Sequence, residues 1–270
     1  MFNINLKKFA ININFSIFKI IGLNYFVYLF FIFINIKNII REKNLNILNN
    51  IFKKLKINFK KNFFFIDISA IDNISGENNC FGLIREIFFK NVYLSKFIFT
   101  DSSKNDCIDL GANIGIFSLL ASKFFNNVYS IEPQIKYIDC YKKLMSDNHV
   151  TNAFLINGYL YNSNEFDNDY ANLIDFNKLV KKESLKDIFL KIDIEGSEFA
   201  LFQDINLNKV SAISMEVHQN NGNLQNILEK LVIYDFDYVL CNSLGEVVSN
   251  HNLATYLYGS KKHSSILLLK

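Results

Sequence analysis

The sequence contains little proline, glycine and cysteine and no tryptophan: one Pro, 10 Gly and four Cys occur among 270 residues. The cysteines form no C-x-x-C pair and have no histidine at ligand spacing. This argues against a zinc site or a disulfide framework and favours a reducing compartment. The net charge of +3 is small and spread along the chain, so charge gives no reason to expect a nucleic-acid partner. Against this composition, each glycine and the single proline are informative.

Large apolar residues are abundant instead. Half of the residues are hydrophobic, and Phe alone accounts for 28 of them. The length predicts one or two domains and allows a sizeable core. The whole chain is enriched in Phe, Ile, Asn, Lys and Tyr, which indicates a general compositional bias. An individual residue of these types therefore carries little information about function.

Residues 1–62 differ from the rest and are predicted to form an apolar, basic, helical extension of a main domain at residues 63–270. Residues 20–36, IIGLNYFVYLFFIFINI, carry no charge and reach the lower length limit of a membrane-spanning helix. Three interpretations stay open: a helix packed on the main domain, an amphipathic helix on a membrane surface, and a short anchor. Basic residues are more numerous after this run than before it, so an anchor would leave the main domain cytoplasmic. We therefore expect a cytoplasmic protein, either free or in contact with the cytoplasmic face of a membrane.

From Asn105 onward, short apolar runs alternate with longer mixed segments. This alternation predicts an α/β fold with a mostly parallel sheet, right-handed crossovers and helices on both faces. Seven strands are predicted, at Cys107–Leu110, Val128–Ile131, Phe154–Ile156, Ile188–Ile192, Ala212–Val217, Tyr238–Cys241 and Ser265–Leu269. Ligands of such sheets bind beyond the carboxyl ends of the strands, so the strand ends are where a site is expected.

The first strand ends in the sequence DLGANIG, residues 109–115. Gly111 permits a tight turn out of the strand, and Gly115 permits a close approach of the following helix. The loop differs from G-x-G-x-x-G because Asn113 occupies the second glycine position, and no G-K-[ST] follows. A dinucleotide pyrophosphate is therefore disfavoured.

The second strand ends in Glu132-Pro133. Glu132 follows Asp109 by a spacing at which an acid after the second strand binds ribose hydroxyls in such folds. Proline lacks an N–H for a continuing strand and disfavours the helical region for the residue before it. Pro133 is thus predicted to end the strand and to hold Glu132 extended. The alternative is a solvated acid at a strand end.

The fourth and fifth strands end in LKIDIEGSEF and MEVH. Asp193 and Glu195 alternate along the first of these motifs and are candidates for ligand contact or for removing a proton from a hydroxyl. His218 lies beyond Glu216 and is a further candidate base. The alternative for Glu195 and Glu198 is that they only favour a helix N-terminus. A divalent ion could also be held by Asp193, Glu195, Glu216 and His218, but their spacing fits no specific metal motif, so no metal site is predicted.

The segments CIDLGANIGIFS, YSIEP, FLKIDIEGSEF and MEVH, in this order, resemble the FkbM-type methyltransferases. These are S-adenosylmethionine-dependent enzymes with a class I, Rossmann-like fold, whose sheet has an antiparallel last strand. The resemblance covers residues 105–270. It implies that residues 157–159 lie near the adenine and that Glu132 binds the ribose. The remaining cofactor contacts it implies are Asp109, Gly111, Asn113, Gly115 and Asp193.

The sequence thus predicts an O-methyltransferase that uses S-adenosyl-L-methionine and acts on a hydroxyl of a glycan or a glycosylated small molecule. Proton removal is expected from His218, Asp193 or Glu195, without an order among them. Two alternatives stay open: a nicotinamide-dependent oxidoreductase on a similar sheet, and a non-enzymatic, membrane-associated binding module that retains the fold. No nucleic-acid partner is expected, and residues 20–36 are the predicted place of membrane contact.

Overall fold

The computed structural model describes Phe33 and residues 53–59, 62–100, 105–160 and 172–269. Except for Phe33, the predicted membrane segment at residues 20–36 lies outside the described residues. Within the described ranges, no helix is both long and apolar enough to cross a membrane.

The described chain alternates strands and helices. The strands are β1 (Leu55–Phe59), β2 (Asn62–Ile66), β3 (Phe97–Phe99), β4 (Cys107–Leu110), β5 (Val128–Glu132), β6 (Ala153–Leu160), β7 (Asn172–Ile174), β8 (Ile188–Ile192), β9 (Val210–Glu216), β10 (Phe236–Cys241), β11 (Tyr256–Lys261) and β12 (Ile266–Leu268). The α-helices are α1 (Ile68–Ser75), α2 (Cys80–Ile84), α3 (Ile116–Ala121), α4 (Ile135–Asp147), α5 (Phe176–Lys182), α6 (Glu198–Asp204) and α7 (Leu224–Ile233). A π-helical segment, Arg85–Lys90, continues directly from α2.

Eight strands form one central sheet in the order β10-β11-β9-β8-β4-β5-β6-β7. Strands β4 to β9 pair in parallel, whereas β11 is antiparallel to both of its neighbours. From β4 the chain winds outward through β5 and β6 and later returns to β8 on the opposite side of β4. This confirms the predicted α/β, Rossmann-like fold. It also places a topological switch point, where ligands bind in such sheets, between β4 and β8.

Both faces of the sheet are covered by hydrophobic cores. Phe189 belongs to the core on one face and its neighbour Leu190 to the core on the other, as the alternation of side chains along a strand requires. The abundant phenylalanines supply much of the first core. The Phe189 ring lies 5.3 Å from the Phe97 ring and 5.1 Å from the Phe125 ring, measured between centroids. These distances lie in the range of favourable aromatic pairs.

The antiparallel strand of the sheet was predicted in the wrong place. It is β11, whereas the predicted segment at residues 265–269 contains β12, which pairs with β3 outside the central sheet. Strand β7 was also not predicted; it adds a three-residue strand to the parallel edge of the sheet, beside β6. Apolar alternation shows that a segment is extended, but it does not identify the partner strand, which is why these assignments failed.

The expectation of a helical extension over residues 1–62 is wrong for Leu55–Phe59. These residues form β1, which pairs with β2 across the predicted boundary at residue 62. Leu55, Ile57 and Phe59 are buried, whereas the polar residues between them are exposed. This period of two is a strand pattern. The rest of the predicted extension lies outside the described residues, apart from Phe33 and residues 53, 54 and 62.

Candidate active site

The loop after β4 turns through three residues with positive φ: Gly111 at 74°, Asn113 at 52° and Gly115 at 92°. A side chain is excluded at Gly111, because a Cβ atom there would lie 1.7 Å from the backbone oxygen of Asp193. At Gly115, a Cβ atom would lie 2.6 Å from the Tyr141 ring. The two glycines therefore serve close packing as well as the turn. The loop lies directly against the end of β8, at the switch point of the sheet.

The Glu132 carboxylate, at the end of β5, accepts backbone hydrogen bonds from two loops. Oε2 accepts from the Asn113 N–H and Oε1 from the Gln134 N–H, both at 2.8 Å. Only 4% of Glu132 is exposed. Burial raises the pKa of this carboxyl above its ordinary value, and the two backbone hydrogen bonds offset part of the effect. Since a carboxylate oxygen accepts two hydrogen bonds, each oxygen keeps one acceptor position for a ligand.

The predicted end of the second strand at Glu132 is confirmed: β5 ends there and α4 begins at Ile135. The adjoining loop is held from β6 by Asn157, whose side-chain amide donates to the carbonyl oxygens of Glu132 and Pro133 at 2.9 and 3.1 Å. Residues 157–159 were expected to follow the third strand, but they are part of β6. Their proximity to a cofactor adenine stays a prediction.

Asp109 lies beneath the loop rather than on its surface. Its carboxylate is fully buried, accepts a hydrogen bond from the Ser118 hydroxyl at 2.5 Å, and pairs with the Lys191 ammonium at 3.0 Å. The resemblance implies that Asp109 contacts the cofactor, but its side chain exposes no atom that could make this contact. Asp109 instead fixes the position of the strand end.

Lys191 is a buried cation on β8 that connects this strand to the loop after β4. Its ammonium donates to the carbonyl oxygens of Leu110 and Gly111 at 3.2 and 2.7 Å. It also lies 5.1 Å from the centre of the Tyr93 ring, within range of a cation–π interaction. Burial would lower the pKa of Lys191, but the charges of Asp109 and nearby carboxylates outweigh it and raise the pKa. No role of this lysine could be predicted, since nothing in the local sequence distinguishes a buried lysine from a solvated one.

The three predicted catalytic residues come together beyond the ends of β8 and β9. One ligand atom each of Asp193, Glu195 and His218 lies within 4.8 Å of the other two. Nε2 of His218 is 3.4 Å from Oε2 of Glu195, whose side chain is 88% exposed. The Tyr93 hydroxyl donates to Oδ2 of Asp193 at 2.8 Å. Tyr93 precedes Asp193 by 100 residues and was not singled out from the sequence.

Glu198, the first residue of α6, orients the imidazole of His218. Its Oε1 lies 2.8 Å from Nδ1 of His218 and also accepts the backbone N–H groups of Ile194 and Gly196. Glu198 is completely buried. Burial would lower the pKa of His218, but the charge and hydrogen bond of Glu198 outweigh it and raise the pKa. Glu198 therefore does more than favour a helix N-terminus, because it also holds the His218 ring in place.

Further carboxylates lie beside this cluster. Burial and the charges of Asp193 and Glu86 raise the pKa of Glu216 to about 7. Glu216 lies opposite Tyr256 in the register of β9 and β11, and the Tyr256 hydroxyl contacts Glu86 at 3.2 Å. The surroundings of the cluster are thus rich in carboxylates, two of which are bonded by the hydroxyls of buried tyrosines. Such surroundings attract cations and hydroxyl donors and repel phosphates.

No protein-family model and no curated protein matches the sequence. Solved structures with a similar chain path include an rRNA methylase from Streptococcus thermophilus, with 12% identity over 63% of this chain and 90% of its own, and a TM-score of 0.40. A precorrin-6y C5,15-methyltransferase from Geobacter metallireducens has 14% identity over 64% of this chain and 87% of its own, with a TM-score of 0.41. TYW2 of M. jannaschii, solved with AdoMet, has 10% identity over 77% of this chain and 85% of its own, with a TM-score of 0.38.

The switch-point loop and the cluster define the chain as a Rossmann-like α/β protein with a candidate ligand site whose two halves meet where Gly111 packs on Asp193. One half offers glycines and a carboxylate with free acceptor positions. The other half offers carboxylates and an imidazole, which are groups that accept protons.

Proposed function

We propose that this protein is an S-adenosyl-L-methionine-dependent O-methyltransferase that methylates a hydroxyl of a glycan or a glycosylated small molecule. The observation that carries the proposal is the contact of Gly111 with the backbone of Asp193. It joins a cofactor loop to a group of proton acceptors at the switch point of the sheet. The order of motifs that resembles the FkbM-type methyltransferases supports the same activity.

The cofactor is proposed to occupy the crevice between the loop after β4 and the end of β5. Gly111 and Gly115 permit the tight turn that carries the loop past the ends of β8 and β5. Glu132 has one free acceptor position on each oxygen for the two ribose hydroxyls. The sulfonium group of S-adenosylmethionine is a cation, so the negative charge of Asp193 favours it. The pyrophosphate of a nicotinamide cofactor would instead approach this surplus of carboxylates, which argues against the oxidoreductase alternative.

The reaction would be an in-line transfer between the two halves of the crevice. The acceptor oxygen attacks the methyl carbon, the S–CH₃ bond breaks with its electron pair remaining on sulfur, and an O–CH₃ bond forms. The hydroxyl proton passes to the cluster of Asp193, Glu195 and His218. Because the cofactor brings an activated methyl group, the protein mainly aligns the acceptor and accepts the proton.

The acceptor is proposed to be a neutral polyhydroxyl compound, because the groups beside the cluster are carboxylates and phenols. Such groups form hydrogen bonds with sugar hydroxyls. An RNA acceptor would bring phosphates towards Glu86 and Glu216, where like charges repel. This favours a glycan over a nucleic acid.

The proposal is tested with the full chain in two steps. Calorimetry with S-adenosylmethionine should give one site per chain, whereas NADH should give no heat and no fluorescence change. Labelled methyl groups should then pass from the cofactor to a glycan fraction and not to an RNA fraction, and His218→Ala should abolish transfer while keeping cofactor binding. A folded protein that binds NADH but not S-adenosylmethionine would contradict the proposal. Cofactor binding without transfer to any acceptor fraction would favour the binding-module alternative.

A further inference from the structure

We propose that Asp193, Glu195 and His218 form a binding site for a divalent cation on the acceptor side of the crevice. The three side chains present one ligand atom each within 4.8 Å of the others. Cation binding by these residues does not depend on the proposed methyl transfer. The role of the ion in catalysis does rest on it.

The orientation of His218 leaves one nitrogen for an ion. Nδ1 lies 2.8 Å from the buried Glu198 carboxylate, so this nitrogen carries the proton in the neutral ring and donates it to Glu198. Nε2 then presents a lone pair to Oε2 of Glu195 at 3.4 Å. In the neutral ring, two acceptors that face each other at this distance repel. Either a second proton on the ring or a divalent cation between the two atoms turns the repulsion into attraction.

Glu198 also supplies the outer partner that metal-bound histidines have. In metal sites, the ring nitrogen opposite the metal almost always donates to a carboxylate, a carbonyl or a water, which fixes the ring orientation. Glu198 is completely buried, and within the described ranges its Oε2 has no hydrogen-bond partner. A buried carboxylate that is only partly satisfied next to the ring adds negative charge that an ion would balance.

A hydrogen bond from Tyr93 orients the Asp193 carboxylate, as Glu198 orients the His218 ring. Oδ2 of Asp193 accepts the Tyr93 hydroxyl at 2.8 Å, which leaves Oδ1 available. Among the described residues, Lys191 forms an ion pair with Asp193 at 3.9 Å but lies closer to Asp109, at 3.0 Å. Its charge is therefore shared and offsets that of Asp193 only in part.

Two carboxylates and one imidazole fill three positions of an octahedral ion. Oxygen ligands suit Mg²⁺ and Mn²⁺, and the added imidazole favours the transition metal, so Mn²⁺ is the expected ion. The three open positions can take water or the two oxygens of a vicinal diol. A hydroxyl bound to such an ion loses its proton more readily. With the ion bound, Asp193, Glu195 and His218 act as its ligands, so the proton would pass to solvent water instead of to these side chains before the oxygen attacks the methyl group.

The test uses the full chain, stripped of metal with a chelator and titrated with Mn²⁺ alone. The paramagnetic resonance signal of free Mn²⁺ measures how much ion is bound. We expect one site per chain, with affinity about tenfold weaker or worse in Glu195→Gln and in His218→Ala. Glu229→Gln is the matched control, since Glu229 is an exposed carboxylate on α7, away from the cluster.

Two outcomes would overturn the inference: a wild-type chain that binds no Mn²⁺, or a Glu195→Gln variant that binds Mn²⁺ as tightly as Glu229→Gln. Because the Glu195 side chain is 88% exposed, its substitution leaves packing undisturbed and the comparison does not depend on folding. Calorimetry with S-adenosylmethionine in the presence of chelator separates the two proposals. Cofactor binding without Mn²⁺ binding contradicts the cation site alone, and Mn²⁺ binding without cofactor binding contradicts the proposed function alone.

Discussion

The backbone N–H of Asn113 donates to the Glu132 carboxylate at 2.8 Å and thereby joins the loops that follow two neighbouring strands, β4 and β5. The same carboxylate accepts from the Gln134 N–H. A single side chain therefore fixes the geometry on both sides of the proposed cofactor crevice.

Removing this side chain should weaken cofactor binding strongly. Glu132→Ala removes the acceptor of two partly buried N–H groups, those of Asn113 and Gln134, at about 1 kcal/mol each, and removes the proposed ribose contact. We expect affinity for S-adenosylmethionine to fall at least about tenfold in calorimetry, since 1.4 kcal/mol corresponds to about tenfold. Pro133→Ala should weaken it by only about two- to threefold, because it loosens Glu132 without removing it. Unchanged affinity in both variants would mean that this stretch is only a turn.

Gly111 and Gly245 offer a matched pair for the close contact at the switch point. Their φ angles are nearly equal, at 74° and 78°, but a Cβ atom at Gly245 has no neighbour within 4 Å. Alanine at either position pays the cost of the left-handed conformation, about 1–2 kcal/mol. Gly111→Ala additionally forces the loop away from Asp193. Denaturant unfolding should show a clearly larger decrease in the free energy of unfolding for Gly111→Ala than for Gly245→Ala, and Gly111→Ala should also lose cofactor binding. Equal decreases in the two variants would contradict the close packing of Gly111 on Asp193.

The buried pair of Lys191 and Asp109 should show strong non-additivity. Lys191→Met leaves the Asp109 carboxylate buried without its cation and should cost about 3–5 kcal/mol in the free energy of unfolding. Adding Asp109→Asn removes the unpaired charge, so the double variant should be more stable than Lys191→Met alone. A double-mutant cycle from denaturant unfolding measures the difference. If the decrease in the free energy of unfolding of the double variant equals the sum of the two single decreases, the interaction between Lys191 and Asp109 contributes little to stability.

Asp67 should make stability depend on pH at the start of α1. Its side chain accepts the Ala70 N–H as the N-cap and lies 3.0 Å from the Lys54 ammonium. Burial acts to raise the pKa of Asp67, but the hydrogen bonds from Lys54, Ala70 and Ser69 outweigh it and lower the pKa below 3.8. A carboxyl with a lowered folded-state pKa contributes stability above its unfolded value, and this contribution is lost as the pH falls through the folded-state pKa.

Asp67→Asn keeps a good N-cap and removes the charge, so it isolates this effect. At pH 7 it should be less stable than the wild type by less than about 1 kcal/mol, as for other exposed ion pairs. The difference should shrink towards zero below about pH 4, near the ordinary aspartate pKa. Asp67→Ala should lose about 1 kcal/mol more through the missing cap. A difference that stays constant between pH 7 and pH 3 would contradict the lowered pKa.

The ends of the strands could be predicted from local sequence because the causes are local. Apolar runs of four or five residues, a proline that cannot continue a strand, and glycines that permit positive φ all act within a few residues. These features located β4, β5, β8 and β9. Since the carboxyl ends of parallel strands meet at one edge, they also predicted that Asp193, Glu195 and His218 come together, as the structure shows.

Other parts of the site had no local signal. Tyr93 contacts Asp193 from 100 residues away. Lys191 can be buried because Asp109 and the carbonyl oxygens of Leu110 and Gly111 receive its charge. Glu198 is an acid in a first helical turn by sequence, and only the path of the chain after β9 brings His218 to its carboxylate.

The sequence by itself determined the alternation of strands and helices, the positions of the turns, and the presence of acids and a histidine at the strand ends. The tertiary structure decided which strand is antiparallel, which charges are buried, and which carboxylate orients the imidazole. The physical reason is that periodicity and backbone preference depend on neighbouring residues. Burial and pairing depend instead on contacts between segments such as β4 and β8, which are separated by about 80 residues and carry no shared local pattern.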